Sequence, residues 1–343
     1  MTGRVLAFLR ACLADPPPGR AAVEAEALAL FRWQVARCPA CAAFADGREP
    51  ASLAEIPAVP VAVFQDVAFT CFPPEEARYA FRTSGTTAGR PGVHRLRSTA
   101  AYDLGSAGWF QRMVPGAPVR CLSLVPSPSD APASSLSHMV GLLRPDAVFL
   151  ADGSGAFDPA EAWAALGAVR EPVFLAATGI ALSRLLDAPG SADLPEGSLA
   201  MVTGGFKGRR HVEDAPLLYA EAGRRLSGAR HVGEYGMTEL SSQAWTGPVP
   251  FAEADPEGPF HPPPWLVPIA VDSGAGTPLP PGRRGQLRFV DLANVESVLA
   301  IETMDEGTVL PDGSIRLHGR LPGAPARGCS LTAEEAAALA RSP

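Results

Sequence analysis

Hydrophobic positions along the chain follow two spacings. Apolar runs occupy 120–125, 147–151, 172–177, 198–203 and 231–235, each short and each separated from the next by a stretch of helical periodicity. Short runs that are apolar on both faces suit strands covered from both sides, and the intervening pattern predicts helices near 20–37, 101–112, 159–169, 179–187 and 214–226. This alternation implies βαβ units and a parallel sheet. From Pro262 onward the pattern changes to short strands at 265–271, 286–290, 298–303 and 314–318, joined by Gly and Pro turns, which predicts a smaller β-rich subdomain over about 262–318. A last helix is expected at 331–341. The proline clusters at 16–18, 73–74 and 262–264 are too short to be linkers, and no internal repeat is present. The expected organisation is an α/β catalytic body, 1–318, followed by a short C-terminal tail, 319–343.

Composition narrows the function classes. With 343 residues, 47% of them hydrophobic and 19% charged, the chain has ample material for a core. A net charge of -7 without a long basic run argues against a nucleic-acid partner and for small ligands. The apolar stretch at the N-terminus is cut short by Arg10, and no run is long enough to span a bilayer, so no membrane association is expected and a cytoplasmic protein is. The 6 cysteines are read as reduced thiols. Cys38 and Cys41 lie in a segment, 21–43, that reads as one amphipathic helix through Leu28, Leu30, Phe31 and Val35; they are read as small buried hydrophobes rather than a zinc or redox pair. Cys329 differs, because it stands in a polar turn two residues after Arg327, a setting for an accessible thiol beside a cation.

Three segments carry candidate chemistry. Residues 83–93, Thr-Ser-Gly-Thr-Thr-Ala-Gly-Arg-Pro-Gly-Val, combine hydroxyl donors at Ser84, Thr86 and Thr87 with glycines at 85, 89 and 92, a composition that lets backbone N–H groups and hydroxyls wrap a polyphosphate. It is neither a P-loop, since no lysine follows the last glycine, nor a dinucleotide fingerprint. Of the 29 Lys and Arg residues only Lys207 is a lysine. A compact ammonium is the one cation that arginine replaces poorly against phosphate oxygens. Lys207 follows Gly204 and Gly205 at the carboxyl end of a predicted strand, where ligands collect on α/β sheets. The third segment, 233–240, brings an aromatic, a hydroxyl and a carboxylate together: Tyr235 can stack on a base, Thr238 can bond a phosphate and Glu239 can hold a hard cation.

Taken in order, the Ser-Gly-Thr-Thr loop, Gly204-Gly205, Tyr235-Gly236-Met237-Thr238-Glu239, Thr303-Met304-Asp305 and Gly319-Arg320 resemble the motifs of the adenylate-forming enzymes. That resemblance implies their α/β fold and their chemistry: a carboxylic acid joined to ATP as an acyl-adenylate with loss of pyrophosphate, then passed to a nucleophile. It further implies that Ser84, Gly85, Thr86 and Thr87 cradle the β and γ phosphates, that Gly204 and Gly205 line the acyl or adenine slot, and that Tyr235 stacks on adenine. Thr238 would touch the α-phosphate, Glu239 would bind Mg²⁺, and Asp305 with Arg320 would hold the ribose.

Nearly the whole chain is similar to the LuxE family of acyl-protein synthetases. The similarity is carried by Ile56-Pro-Ala-Val-Pro-Val-Ala-Val-Phe64, Thr203-Gly-Gly-Phe-Lys207, His261-Pro-Pro-Pro-Trp265 and Arg327-Gly-Cys-Ser-Leu-Thr332. It implies that Cys329 accepts the acyl group as a thioester for delivery to an acyl reductase or carrier partner. Longer adenylate-forming ligases continue into a small domain bearing a catalytic lysine; this sequence ends soon after Cys329, which leaves Lys207 as the expected ammonium at the α-phosphate. Departures are local. Ala88 and Pro91 stand where relatives carry glycine and lysine, with Arg90 as the compensating cation, and 321–324 lacks the aspartate of the usual hinge. His138 is read as structural. Two other readings stay open: a ligase that hands the adenylate straight to coenzyme A, an amine or a carrier thiol, and a noncatalytic nucleotide-binding scaffold.

Overall fold

The computed structural model describes residues 1–83, 90–204 and 215–321. Ser84, Gly85, Thr86, Thr87, Gly205, Lys207 and Cys329, together with the expected helix at 331–341, lie outside them.

The apolar runs become the strands of a seven-stranded sheet. Its parallel centre is Cys121–Ser123, Phe174–Thr178, Leu199–Thr203 and Arg230–Tyr235, with Val148–Phe149 at one edge and the antiparallel Ala244–Trp245 at the other. Every residue of Phe174–Thr178 and of Leu199–Thr203 is buried, which is why these strands read as unbroken apolar runs. Helices cover both faces. Thr2–Leu13, Arg20–Val35 and Ala100–Met113 enclose one core with the side chains of Phe174, Met201 and Val232, while Pro159–Gly167, Gly179–Asp187 and Ala215–Arg225 enclose another with Leu175, Ala200 and Val202.

The predicted β-rich part forms a second sheet. Leu266–Val271, Arg284–Asp291, Ala300–Val309 and Ile315–Arg320 pair antiparallel in sequence order, and Val59–Pro60 joins parallel to Ala300–Val309. The last two long strands extend beyond the apolar stretches that announced them, because their outer residues pair on half-exposed positions.

Two expectations need correction. Segment 21–43 is not one helix: Arg20–Val35 ends and Pro39–Ala45 begins anew, with Pro39 in its first turn and Cys38 Sγ accepting the Cys41 N–H at 3.2 Å. A proline has no N–H for the preceding turn, so the chain restarts there, and the sulfur satisfies one of the new helix's free donors. The apolar N-terminus, weighed only as a leader, is the helix Thr2–Leu13, burying Val5, Leu9 and Cys12. Both Cys38 and Cys41 are buried, and no group of three or more His, Cys, Asp or Glu side chains able to hold a metal occurs among the described residues.

Candidate active site

Strands Leu199–Thr203 and Arg230–Tyr235 run parallel with Thr203 opposite Glu234, so their carboxyl ends finish at the same level. Gly204 leaves the first strand at φ +75, a left-handed turn that glycine takes without strain. Beyond these ends lies a cavity of about 310 Å³, lined from the first sheet by Gly204, Glu234, Tyr235, Gly236 and Thr238 and from the second by Asp305 and Arg320. Ligand sites form at such carboxyl edges because the loops there diverge and leave backbone groups unpaired.

The second sheet presents its pair through register. Asp305 faces Arg320 across a shift between Glu306 and Gly307, and the Arg320 Nε lies 3.4 Å from Asp305 Oδ1. The Asp305 N–H donates to Thr303 Oγ1 at 3.0 Å, and that hydroxyl donates to the Leu287 carbonyl at 2.8 Å, so Thr303 fixes the backbone that carries the carboxylate. Tyr235 then links the sheets: its hydroxyl donates to Asp305 Oδ2 at 2.9 Å, and its ring packs against Phe260 and Phe289 with centroids 6.2 and 5.7 Å away.

The loop after Tyr235 is held from behind. Asp291 accepts the Ser241 N–H at 2.9 Å and the Ser242 hydroxyl at 2.7 Å, and the Trp265 indole N–H donates to Ser242 Oγ at 3.0 Å. Burial pushes the Asp291 carboxyl up to about 6, against the lowering effect of these donors. Asn294 Nδ2 donates to the Glu239 carbonyl at 2.9 Å, and Gln34 Nε2 in turn donates to the Asn294 carbonyl at 2.7 Å. His94 Nδ1 donates to the Thr238 carbonyl at 2.9 Å; full burial holds this imidazole down at about 4, so it stays neutral at physiological pH. Asp291, Asn294, Gln34 and His94 were not singled out from sequence. Asp291, Asn294 and Gln34 each stand between apolar neighbours, the only signal available, while His94 stands between Val93 and Arg95 and offers none.

Glu239 is 0% exposed, and its side chain is not part of the cavity lining. Its carboxylate is the right hard donor for Mg²⁺, but the described residues hold no group of three or more His, Cys, Asp or Glu side chains able to form a metal site. An ion reaching this loop would take most of its ligands from phosphate and water. For a nucleotide the fit is better: an aromatic ring, a threonine hydroxyl, a carboxylate and a guanidinium share one cavity wall. His138 is away from that lining. Its Nε2 donates to Asp103 Oδ1 at 2.7 Å within a cluster of Tyr79, Phe81 and Tyr102 rings.

One cavity residue was missed altogether. Glu234 is 6% exposed, accepts the Thr203 hydroxyl on Oε2, and has its carboxyl pushed up to about 7 by burial. A carboxylate within the strand Arg230–Tyr235 was visible in the sequence and passed over because the Tyr-Gly-x-Thr-Glu motif begins one residue later.

No family model matches the sequence, and no curated protein matches it significantly. Solved structures do resemble it. ATP-bound MatB from Rhodopseudomonas palustris superposes with a TM-score of 0.51 at 17% identity, over 73% of this chain and 49% of that one. O-succinylbenzoate coenzyme A synthetase (MenE) from Bacillus subtilis, in complex with ATP and magnesium ion, gives 0.50 at 19% identity, over 70% and 49%. The amide bond synthetase McbA from Marinactinospora thermotolerans gives 0.50 at 21% identity, over 72% and 50%. No helix of the described residues is long and apolar enough to cross a membrane. The chain thus spans about half the length of the structures it matches, and its fold is the α/β fold of the N-terminal part of the adenylate-forming enzymes.

Proposed function

We propose that the protein activates a carboxylic acid with ATP, forming an acyl-adenylate and releasing pyrophosphate. The observation that carries this is the convergence of Tyr235, Gly236 and Thr238 from one sheet with Asp305 and Arg320 from the other on a single cavity, in the motif order of the adenylate-forming enzymes and on their fold.

In this reading the Tyr235 ring supports the adenine, Asp305 accepts from the ribose hydroxyls with Arg320 orienting it, and the Thr238 hydroxyl donates to the α-phosphate. Ser84, Gly85, Thr86 and Thr87 hold the β and γ phosphates, Gly204 and Gly205 keep the slot free of side chains, and Glu239 would hold a Mg²⁺ that offsets phosphate charge. A carboxylate oxygen of the acid attacks the α-phosphorus as the bond to pyrophosphate breaks. Lys207 offsets the charge that builds on the α-phosphate oxygens. In the second step the Cys329 thiolate attacks the acyl carbon, AMP leaves, and a thioester remains on the tail for an acyl reductase or carrier protein. The catalytic body would be 1–318 and the acyl-bearing tail 319–343.

A second reading keeps the adenylation and changes the acceptor. The names of MenE and McbA refer to coenzyme A and to an amide bond, which favours an external thiol or amine with Cys329 idle.

Intact-protein mass spectrometry after incubation with ATP, Mg²⁺ and a panel of acids separates the readings. A hydroxylamine-labile acyl mass on wild type that is missing from Cys329→Ser supports transfer to Cys329. Pyrophosphate release without an adduct supports an external acceptor. Neither product with any acid would overturn the adenylation reading and leave a nucleotide-binding scaffold. Lys207→Ala should abolish pyrophosphate release; full activity in that variant removes Lys207 from the mechanism.

A further inference from the structure

Glu234 has no role in the nucleotide chemistry above, yet it occupies the cavity wall next to Tyr235. Its position follows from strand register: Thr203 is its cross-strand partner, so the two side chains rise from the same face of the sheet and meet. That contact satisfies Oε2. Among the described residues no donor reaches Oε1 and no cation forms an ion pair with this carboxyl. Of the two guanidinium groups in the lining, Arg320 is paired with Asp305, and Arg82 makes no ion pair with Glu234.

The space beside Oε1 is left by Gly236. A Cβ built there would lie 2.5 Å from Glu234 Oε1, so a side chain at 236 would shift that oxygen or take the space beside it. Val125, Ala131 and Leu136 supply apolar wall to the same cavity, a surface suited to hydrocarbon. A carboxyl that is nine-tenths buried, half satisfied and set in such a wall is costly unless a ligand completes it.

We propose that Glu234 determines which acid the protein accepts: its Oε1 takes a hydrogen bond from an amino or hydroxyl group carried on the hydrocarbon part of the carboxylic acid. This rests on the adenylation reading and names its substrate class. An unsubstituted fatty or aromatic acid leaves Oε1 without a donor and is the poorer substrate. An ammonium gains most, since it also neutralises the charge; a hydroxyl gains through the hydrogen bond alone.

The test uses acids matched in carbon skeleton that differ only in carrying hydrogen, hydroxyl or amino at the far end, in an aromatic and an aliphatic series, on wild type, Glu234→Gln and Glu234→Ala. Acid-dependent pyrophosphate exchange gives kcat/KM, and isothermal titration calorimetry gives acid binding without any need for turnover. Wild type should favour a donor-bearing acid over its unsubstituted partner by about tenfold or more, as expected for a buried donor–acceptor pair. In Glu234→Ala that ratio should collapse to within about threefold. Glu234→Gln, which keeps the shape, should lose the preference for amino over hydroxyl, and thermal melting identifies a variant that has not folded.

A wild type that prefers unsubstituted acids in both series, or a preference unchanged in both variants, overturns the proposal. If no acid supports exchange on any variant, it is the adenylation reading that fails, and the calorimetric ranking of the same acids still decides the role of Glu234.

Discussion

The hydroxyl of Tyr235 donates to Asp305 Oδ2 at 2.9 Å across the gap between the two sheets. One bond thus sets the aromatic ring expected under the base relative to the carboxylate expected on the ribose. Tyr235→Phe keeps the ring and removes the link. It should lower stability by about 1 kcal/mol and raise the KM for ATP several-fold, with a smaller change in kcat. Steady-state pyrophosphate release at varied ATP measures this, and an unchanged KM would mean that Asp305 needs no orienting partner.

Glu234 should leave a signature in stability against pH. Its carboxyl titrates at about 7 in the folded protein, raised from an ordinary 4.5 by burial. Below about 4.5 both states hold the proton and the residue is neutral to stability. As pH rises toward 7 the unfolded chain releases its proton first, so stability falls, and above 7 the full penalty applies, on the order of 3 kcal/mol. Glu234→Gln should therefore melt higher than wild type at pH 8, with the difference fading toward pH 4.5. Equal melting temperatures across that range would show that the carboxyl is hydrated.

His231 predicts the opposite slope. Burial holds its imidazole at about 4, down from 6.5, and its ring packs between Tyr219 and Phe251 with neither nitrogen hydrogen-bonded. The unfolded chain takes up the proton first as pH falls, so stability present above 6.5 is lost toward 4. His231→Phe should raise the melting temperature at every pH, most of all toward pH 4. A drop at pH 7 would mean that the imidazole contributes a bond to the fold.

Gly236→Ala separates site from scaffold. The added methyl meets the mobile end of Glu234 rather than backbone, so the fold should lose no more than about 1 kcal/mol. Acid binding should weaken about tenfold while ATP binding changes less, because the methyl fills the space beside Oε1. Calorimetry with each ligand reads both effects.

Much of this was legible in the residues. The runs at 172–177 and 198–203 announced strands because parallel strands covered on both faces carry apolar residues without alternation. Tyr235, Thr238, Asp305 and Arg320, which line one cavity, each sit in a short motif that drew notice to them. What escaped is of another kind. The tie from Asn294 to the Glu239 carbonyl joins two loops far apart in sequence, each following a strand of a different sheet, and no local pattern encodes it. The restart at Pro39 was readable from proline alone but was outweighed by the apolar residues on either side. The helix Thr2–Leu13 had its spacing in Val5, Leu9 and Cys12, which a search for a leader did not weigh.

The pairing of Leu199–Thr203 with Arg230–Tyr235 has one more implication. Side chains in a strand alternate between faces, so the chemistry offered at the sheet edge is decided by a hydrogen-bond ladder whose inner rungs, His231 opposite Ala200 and Val232 opposite Met201, are buried in the protein. The cavity wall is therefore easy to diversify and hard to displace: exchanging the residues at its rim changes what is recognised, while the frame that aims them is set where no ligand reaches.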